Sequence, residues 1–475
     1  MQQIAKLLLV TFLIVAYGQP LDAADSELPE RPNIILVMTD DQGYGELACH
    51  GNPIIRTPNL DQFHKESIRF TDFHVSPTCS PTRCALLTGR HEFRSGVTHT
   101  IQERERMSLK ATTLPQVLKS AGYTTGIFGK WHLGDEDAYQ PERRGFDEVF
   151  IHGAGGIGQT YPGSCGDAPG NTYFNPAILH NGKFEETKGF CTDVFFDQAI
   201  RWIESKRAGP EPFFVYLTPN APHGPYVCPE KYAKMYQGHE LNQDAVGYYG
   251  MISNIDDNLG VLLSRLKAWD LERKTLVIFM TDNGHPIGSL YNAGMRSTKA
   301  TPYQGGTRVP CFWRWPGILQ PGIDVSQLVA NIDIFPTLAE LAGAKVPDDV
   351  TFDGHSLVPL LKETNAAWPD RFLFVHVGRW PTGKAAESKY AHCAVRTSRY
   401  RLVDNNELYD IQADPGETKN VIEEHADDVA AMRAAYDKWW NEVLPALENE
   451  DALGPQVNPF KERYWRQFGG GPGRR

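Results

Sequence analysis

Cysteine is scarce in this chain, with 8 residues in 475. That density excludes a small scaffold built from disulfides, and no spacing resembles the paired C-x-x-C of a zinc site. Cys165 and Cys191 share a Gly-, Pro- and Asn-rich insertion and are the first candidates for a bridge. Basic charge is not in excess either. The 47 Lys and Arg face 58 Asp and Glu, and the net charge of −11 argues against a general nucleic-acid or anionic-membrane binder. An anionic substrate stays open, because a local cluster of Lys, Arg and metal reverses the field inside a cleft. Internal repeats are absent.

Long apolar runs are missing beyond the N-terminus. Leu7–Ala16 is apolar for ten residues, follows Lys6, and precedes small residues around Ala23. Ten residues are too few to span a bilayer. The pattern is that of a cleaved signal peptide over 1–23, and it predicts an exported protein, periplasmic or extracellular, not integral to the membrane.

What is present is an ordinary globular composition, 41% hydrophobic and 22% charged. Buried-strand patterns such as NIILVMTDDQGYG (Asn33–Gly45) and TLVIFMTDNGHP (Thr275–Pro286) alternate with helix patterns. The order predicts an α/β fold: a large, mostly parallel sheet flanked by helices, with its polar clusters at the carboxyl ends of strands. Closely spaced short strands then predict a smaller C-terminal α+β subdomain with an antiparallel sheet. The expected boundaries are a catalytic domain over 31–368, a subdomain over 369–460, and a disordered tail over 461–475.

Asp40 and Asp41 end the first strand, and Asp282 and Asn283 end another far along the chain. A single Asp after a strand is commonly a turn former. Were the two strands neighbours, three carboxylates would repel unless a cation neutralised them, and hard oxygen donors suit Ca²⁺ or Mg²⁺. The pattern alone leaves both readings open. Lys130 and His132 in GKWHLG stand two apart, on one side of an extended segment. His223 lies in APHGPY and Lys299 in RSTKATPYQGG. Singly each reads as a surface residue. Together at strand ends they make a cationic pocket suited to an oxyanion held against a metal.

The stretch CSPTRCALLTGR, Cys79–Arg90, resembles the C-x-P-x-R signature of the type I sulfatases, in the alkaline-phosphatase superfamily. The resemblance extends in order through RPNIILVMTDDQGYG, GKWHLG, APHGPY, TDNG, YQGGTRVP and ELYDIQADPGETKNV. It implies that Cys79 is oxidised to formylglycine by a formylglycine-generating or equivalent maturation enzyme. It implies further that Asp40, Asp41, Asp282 and Asn283, with the modified Cys79, hold a divalent cation, usually Ca²⁺. Arg83 would fix and neutralise the nucleophile, Lys130 and Lys299 would bind sulfate oxygens, and His132 and His223 would move protons. Cys84 reads as a small core residue, with a helix starting near Pro81.

Two positions depart from the pattern. Gln304 stands where the family often has Glu, and a further Ser or His position has only His152 as a candidate. The implied activity is hydrolysis of sulfate monoesters, of a sulfated glycan or small aryl sulfate. A phosphonate or phosphate ester hydrolase of the same superfamily, and an inactive glycan-binding protein, are the alternatives. The insertion His152–Cys191 is rich in aromatics and amides, and is either a sugar-facing surface or a loop stapled by a disulfide.

Overall fold

The computed structural model describes residues 28–29, 31–159 and 163–471. The signal peptide expected over 1–23 lies outside the described residues. No helix among the described residues is long and apolar enough to cross a membrane.

The apolar runs form the middle of a ten-stranded sheet. Its order is Ile323–Val325, Ile68–Phe70, Cys311–Arg314, Thr275–Thr281, Asn33–Thr39, Phe213–Thr218, Thr124–Lys130, Glu148–His152, Ala177–His180 and Lys183–Glu186. From Thr275–Thr281 to Glu148–His152 the strands run parallel. They are continuously apolar because both faces are covered. In Asn33–Thr39, Ile34, Leu36 and Met38 face one core while Ile35 and Val37 face the other. Helices Cys191–Lys206 and Gln243–Ala268 cover the second face through Phe195, Phe196, Met251 and Leu259. Helices Cys79–Thr88 and Ile334–Leu341 cover the first through Leu86, Leu87 and Leu338. Each such side chain contributes about 1.5–3 kcal/mol on burial, which fixes the strand faces.

A second sheet of four antiparallel strands, Leu373–His376, Cys393–Arg396, Tyr400–Val403 and Glu407–Asp410, packs under the helix Ala426–Val443. Trp380, Tyr436, Trp439 and Trp440 form its core together with Phe93. The expected mostly parallel sheet with an antiparallel C-terminal partner is the architecture observed.

Two expectations fail. The tail is not disordered from 461: Pro459–Phe468 is a helix. Asn458 Oδ1 caps it, accepting from Phe460 N at 3.0 Å, and Phe460 is buried against the main core. Apolar residues at helical spacing, Phe460 and Tyr464, outweigh the glycines that follow. Nor do Cys165 and Cys191 bridge; all eight cysteines are free thiols. Cys165 Sγ lies 3.3 Å from Glu105 Oε1, and Cys191 Sγ 3.5 Å from Asn220 Oδ1. Part of the insertion forms the hairpin Ala177–His180 and Lys183–Glu186 at the sheet edge.

Candidate active site

The first two acids meet the second pair because their strands are neighbours in register. Thr39 pairs with Thr281, so the next residues of both strands leave the sheet side by side. Asp282 N donates to Thr39 O at 3.1 Å, and Asp41 N donates to Asp282 Oδ1 at 3.0 Å. Asp41 adopts φ +65°, a left-handed turn that swings its carboxylate back toward Asn283, whose Nδ2 donates to Asp41 Oδ1 at 2.8 Å. All four side chains are buried.

Cys79 stands in the first turn of helix Cys79–Thr88, which starts two residues before Pro81. Its sulfur and carboxylate oxygens of Asp40 and Asp282 lie within 4.8 Å of one another. Arg83, one turn along, is fully buried. Its guanidinium donates to Asp282 Oδ2 at 2.9 Å, Thr218 Oγ1 at 2.5 Å and Lys130 O at 3.1 Å. Cys84 faces away into the core, its sulfur 3.7 Å from Ser95 O.

Lys130 ends its strand and donates to Asp40 Oδ2 at 2.6 Å. His132 lies 3.4 Å from Cys79 Sγ through Nδ1, and 2.8 Å from Thr100 O through Nε2. The two residues converge, though not by strand alternation. The strand has ended at Lys130, and a left-handed φ of +57° at His132 turns its ring inward. Lys299 donates to Asp41 Oδ1 from the opposite wall. His223 Nε2 is 3.8 Å from Asp41 Oδ2, and its Nδ1 is 2.9 Å from Gly224 O. His152 pairs with Lys130 in the sheet, is buried, and has both ring nitrogens without a partner. Gln304 is outside this group. It is buried and accepts from Arg401 Nη2 at 3.3 Å, tying the second sheet to the main domain.

The charges balance: Asp40, Asp41 and Asp282 face Arg83, Lys130 and Lys299. The balance is uneven in space. Burial, reinforced by the neighbouring carboxylates, raises Asp40 to about 6 and Asp282 to about 7. Burial would raise Asp41 too, but Lys299, His223 and Lys130 outweigh it and hold that carboxyl below its usual range. Burial raises the Cys79 thiol, and Lys130 and Lys299 overcome this and lower it. Burial, then Lys130, keeps His132 far below its ordinary value, so its ring is neutral. Asp40 Oδ1 and Asn283 Oδ1 are buried without any donor. Orphaned hard oxygens beside crowded carboxylates fit a divalent cation, and oxygen donors select Ca²⁺ or Mg²⁺.

The sulfatase family profile matches residues 32–344. The chain belongs to the sulfatase family. A second profile, N-sulphoglucosamine sulphohydrolase, C-terminal, matches residues 298–438. This sulfatase is 32% identical over 448 residues to human arylsulfatase A, spanning 84% of this chain and 85% of that protein. It is 31% identical over 434 residues to N-acetylgalactosamine-6-sulfatase of Mus musculus, spanning 84% and 79%. Among solved structures it resembles Ps i-CgsB in complex with k-i-k-neocarrahexaose, with a TM-score of 0.80, 27% identity, and coverage of 92% and 97%. The chain is therefore a sulfuric ester hydrolase.

Several residues of the sulfatase pocket carry no sequence signal. Tyr173, from the insertion, donates to Asn220 O at 2.9 Å and His223 O at 2.5 Å, bracing the loop that carries His223. Thr100 O fixes the His132 ring from a turn-rich segment. Gly155 and Gly156 are wedged between the histidines: an added Cβ would stand 2.9 Å from His132 Cε1 and 2.7 Å from His223 Nδ1, respectively.

Proposed function

We propose that this sulfatase is exported and hydrolyses sulfate monoesters of carbohydrates, and also aryl sulfates, with Cys79 converted to formylglycine and Ca²⁺ or Mg²⁺ held by Asp40, Asp41, Asp282 and Asn283. The observation that carries the reading is the convergence of Cys79 Sγ with two buried carboxylates and the Nδ1 of His132. An aldehyde at position 79, hydrated, would supply two hydroxyls on one carbon, one for attack on sulfur and one whose loss of a proton would expel sulfate, which a serine could not do. The cation would mask substrate charge and lower the pKa of a bound hydroxyl.

The chain's own residues complete the chemistry. Arg83, Lys130 and Lys299 already neutralise the three acids, so a divalent ion leaves a cationic surplus matched to an anionic sulfate ester. With Nε2–H on Thr100 O, His132 has its lone pair on Nδ1, beside the position of the nucleophile, and acts as base. With Nδ1–H on Gly224 O, His223 points Nε2 into the pocket, where it would protonate the departing alcohol oxygen. Burial keeps His223 below its ordinary value, and the negative charge of a bound sulfate group would raise it toward the acid form. A carbohydrate substrate is supported by the relative named N-acetylgalactosamine-6-sulfatase and by the neocarrahexaose complex.

Three measurements test the proposal. The mass of the Cys79 peptide must read as aldehyde rather than thiol. Turnover of a sulfate ester must exceed that of the phosphate ester of the same phenol, and the reverse order would assign the chain to phosphoryl transfer. A desulfation screen over defined oligosaccharides then finds the sugar; release from none of them, alongside good aryl sulfate turnover, would remove the carbohydrate assignment.

A further inference from the structure

A second group of metal-type ligands lies outside the pocket described above. Cys49 and His50 sit in the single turn Ala48–His50, and His64 lies on the helix Pro58–Lys65. One ligand atom from each comes within 4.8 Å of the others. The turn and the helix are fixed to each other by backbone donors on carboxylate and hydroxyl groups: Cys49 N on Asp61 Oδ1 at 2.9 Å and Ala48 N on Thr57 Oγ1 at 3.0 Å. Phe312 packs edge-on against both imidazoles, at 5.5 Å from His50 and 5.0 Å from His64. His50 Nδ1 is 2.7 Å from Tyr44 O. With Nδ1–H donating there, the lone pair of His50 is on Nε2, the arrangement by which a backbone carbonyl sets a metal-ligating tautomer.

We propose that Cys49 Sγ, His50 Nε2 and a ring nitrogen of His64 form a three-ligand site for Zn²⁺, separate from the oxygen-lined site at Asp40 and Asp282. One thiolate and two imidazoles are the donor set of a borderline-soft ion, and three protein ligands leave one tetrahedral position open. Cys49, His50 and His64 all line a surface depression of about 350 Å³, which Tyr44, Arg69 and Asp324 also line. The nearby guanidinium does not oppose the ion with its full charge, because Arg69 Nε is paired with Asp324 Oδ1 at 2.6 Å. Burial keeps both imidazoles neutral, which is the ligating form. The Cys49 thiol, raised by burial and by Asp61, keeps its proton in the ion-free protein and releases it to solvent when the metal binds. The ion would clip the turn that follows Asp41 to the helix that carries His64.

The test is titration of the full chain with Co²⁺, a spectroscopic stand-in for Zn²⁺, in the presence of Ca²⁺ to fill the oxygen site. One equivalent should produce a thiolate-to-cobalt charge-transfer band that Zn²⁺ bleaches. Cys49→Ser should abolish the band, and Cys79→Ala should leave it intact. His64→Ala, at a half-buried position, should weaken Zn²⁺ binding more than about tenfold. No band, a band that survives Cys49→Ser, a band lost in Cys79→Ala, or unchanged affinity in His64→Ala would each overturn the site.

Discussion

His132 presents Nδ1 to Cys79 Sγ at 3.4 Å while its Nε2 is held on Thr100 O at 2.8 Å. The ring therefore has one tautomer and one direction in which to take a proton. His132→Ala should lower kcat by about 10²–10⁴-fold. The loss should fall on release of sulfate, so rapid-quench mass spectrometry should catch sulfated enzyme building up. A variant that slows attack without accumulating sulfated enzyme would move His132 to the first step.

Cys79→Ser tests the need for two hydroxyls on one carbon. The variant should transfer one sulfate to itself and stop, or fail to turn over at all, as read by intact mass and by product per enzyme. An undiminished multiple-turnover rate removes the formylglycine proposal.

The acid role of His223 depends on the leaving group. Replacing it with Ala should slow an alkyl or sugar sulfate far more than 4-nitrophenyl sulfate, whose phenolate leaves without a proton. Equal losses on both substrates would assign His223 to binding through Asp41, 3.8 Å away.

Ion-free protein should lose stability as pH rises. Asp40 and Asp282 have folded values near 6 and 7, above the ordinary carboxyl value, so the folded chain binds more protons than the unfolded one between about pH 4 and 7. Stability falls through that window, and Ca²⁺ should restore it, with a larger gain in Tm at pH 7 than at pH 5. Asp41 acts oppositely: its lowered value contributes stability that is present above the unfolded carboxyl value and lost below it, outside this window. Calorimetry of wild type and Asp282→Asn with and without Ca²⁺ reads the difference, which the variant should diminish.

Tyr173→Phe removes a hydroxyl that donates to two carbonyls of the His223 loop. Asn220 O keeps the His223 amide as a donor at 3.0 Å, and the loss of the donor to His223 O should cost about 1–3 kcal/mol of stability. If Tyr173 positions His223, kcat falls with little change in KM, and more for sugar sulfates than for 4-nitrophenyl sulfate. A loss of stability alone would make it a packing residue.

The parallel sheet was legible from residue order, because strands buried on both faces are apolar throughout, as Asn33–Thr39 and Thr275–Thr281 are. The acids at strand ends left a turn and a cation site equally open, and the C-x-P-x-R run around Cys79 pointed to the sulfatase family, to which the chain belongs. What the sequence left open depended on contacts between segments distant in the chain. Tyr173, Thr100 O and the wedged Gly155 and Gly156 act through backbone carbonyls and close approach, which no residue pattern encodes. The expected Cys165–Cys191 bridge failed because burial beside Glu105 and Asn220 gave each thiol its own partner. The helix Pro459–Phe468 formed where a loose tail was expected, because the main core offered Phe460 an apolar surface. Register, finally, belonged to the tertiary structure alone. Only the pairing of Thr39 with Thr281 brings Asp41 within reach of Asn283, and backbone hydrogen bonds between neighbouring strands set that distance.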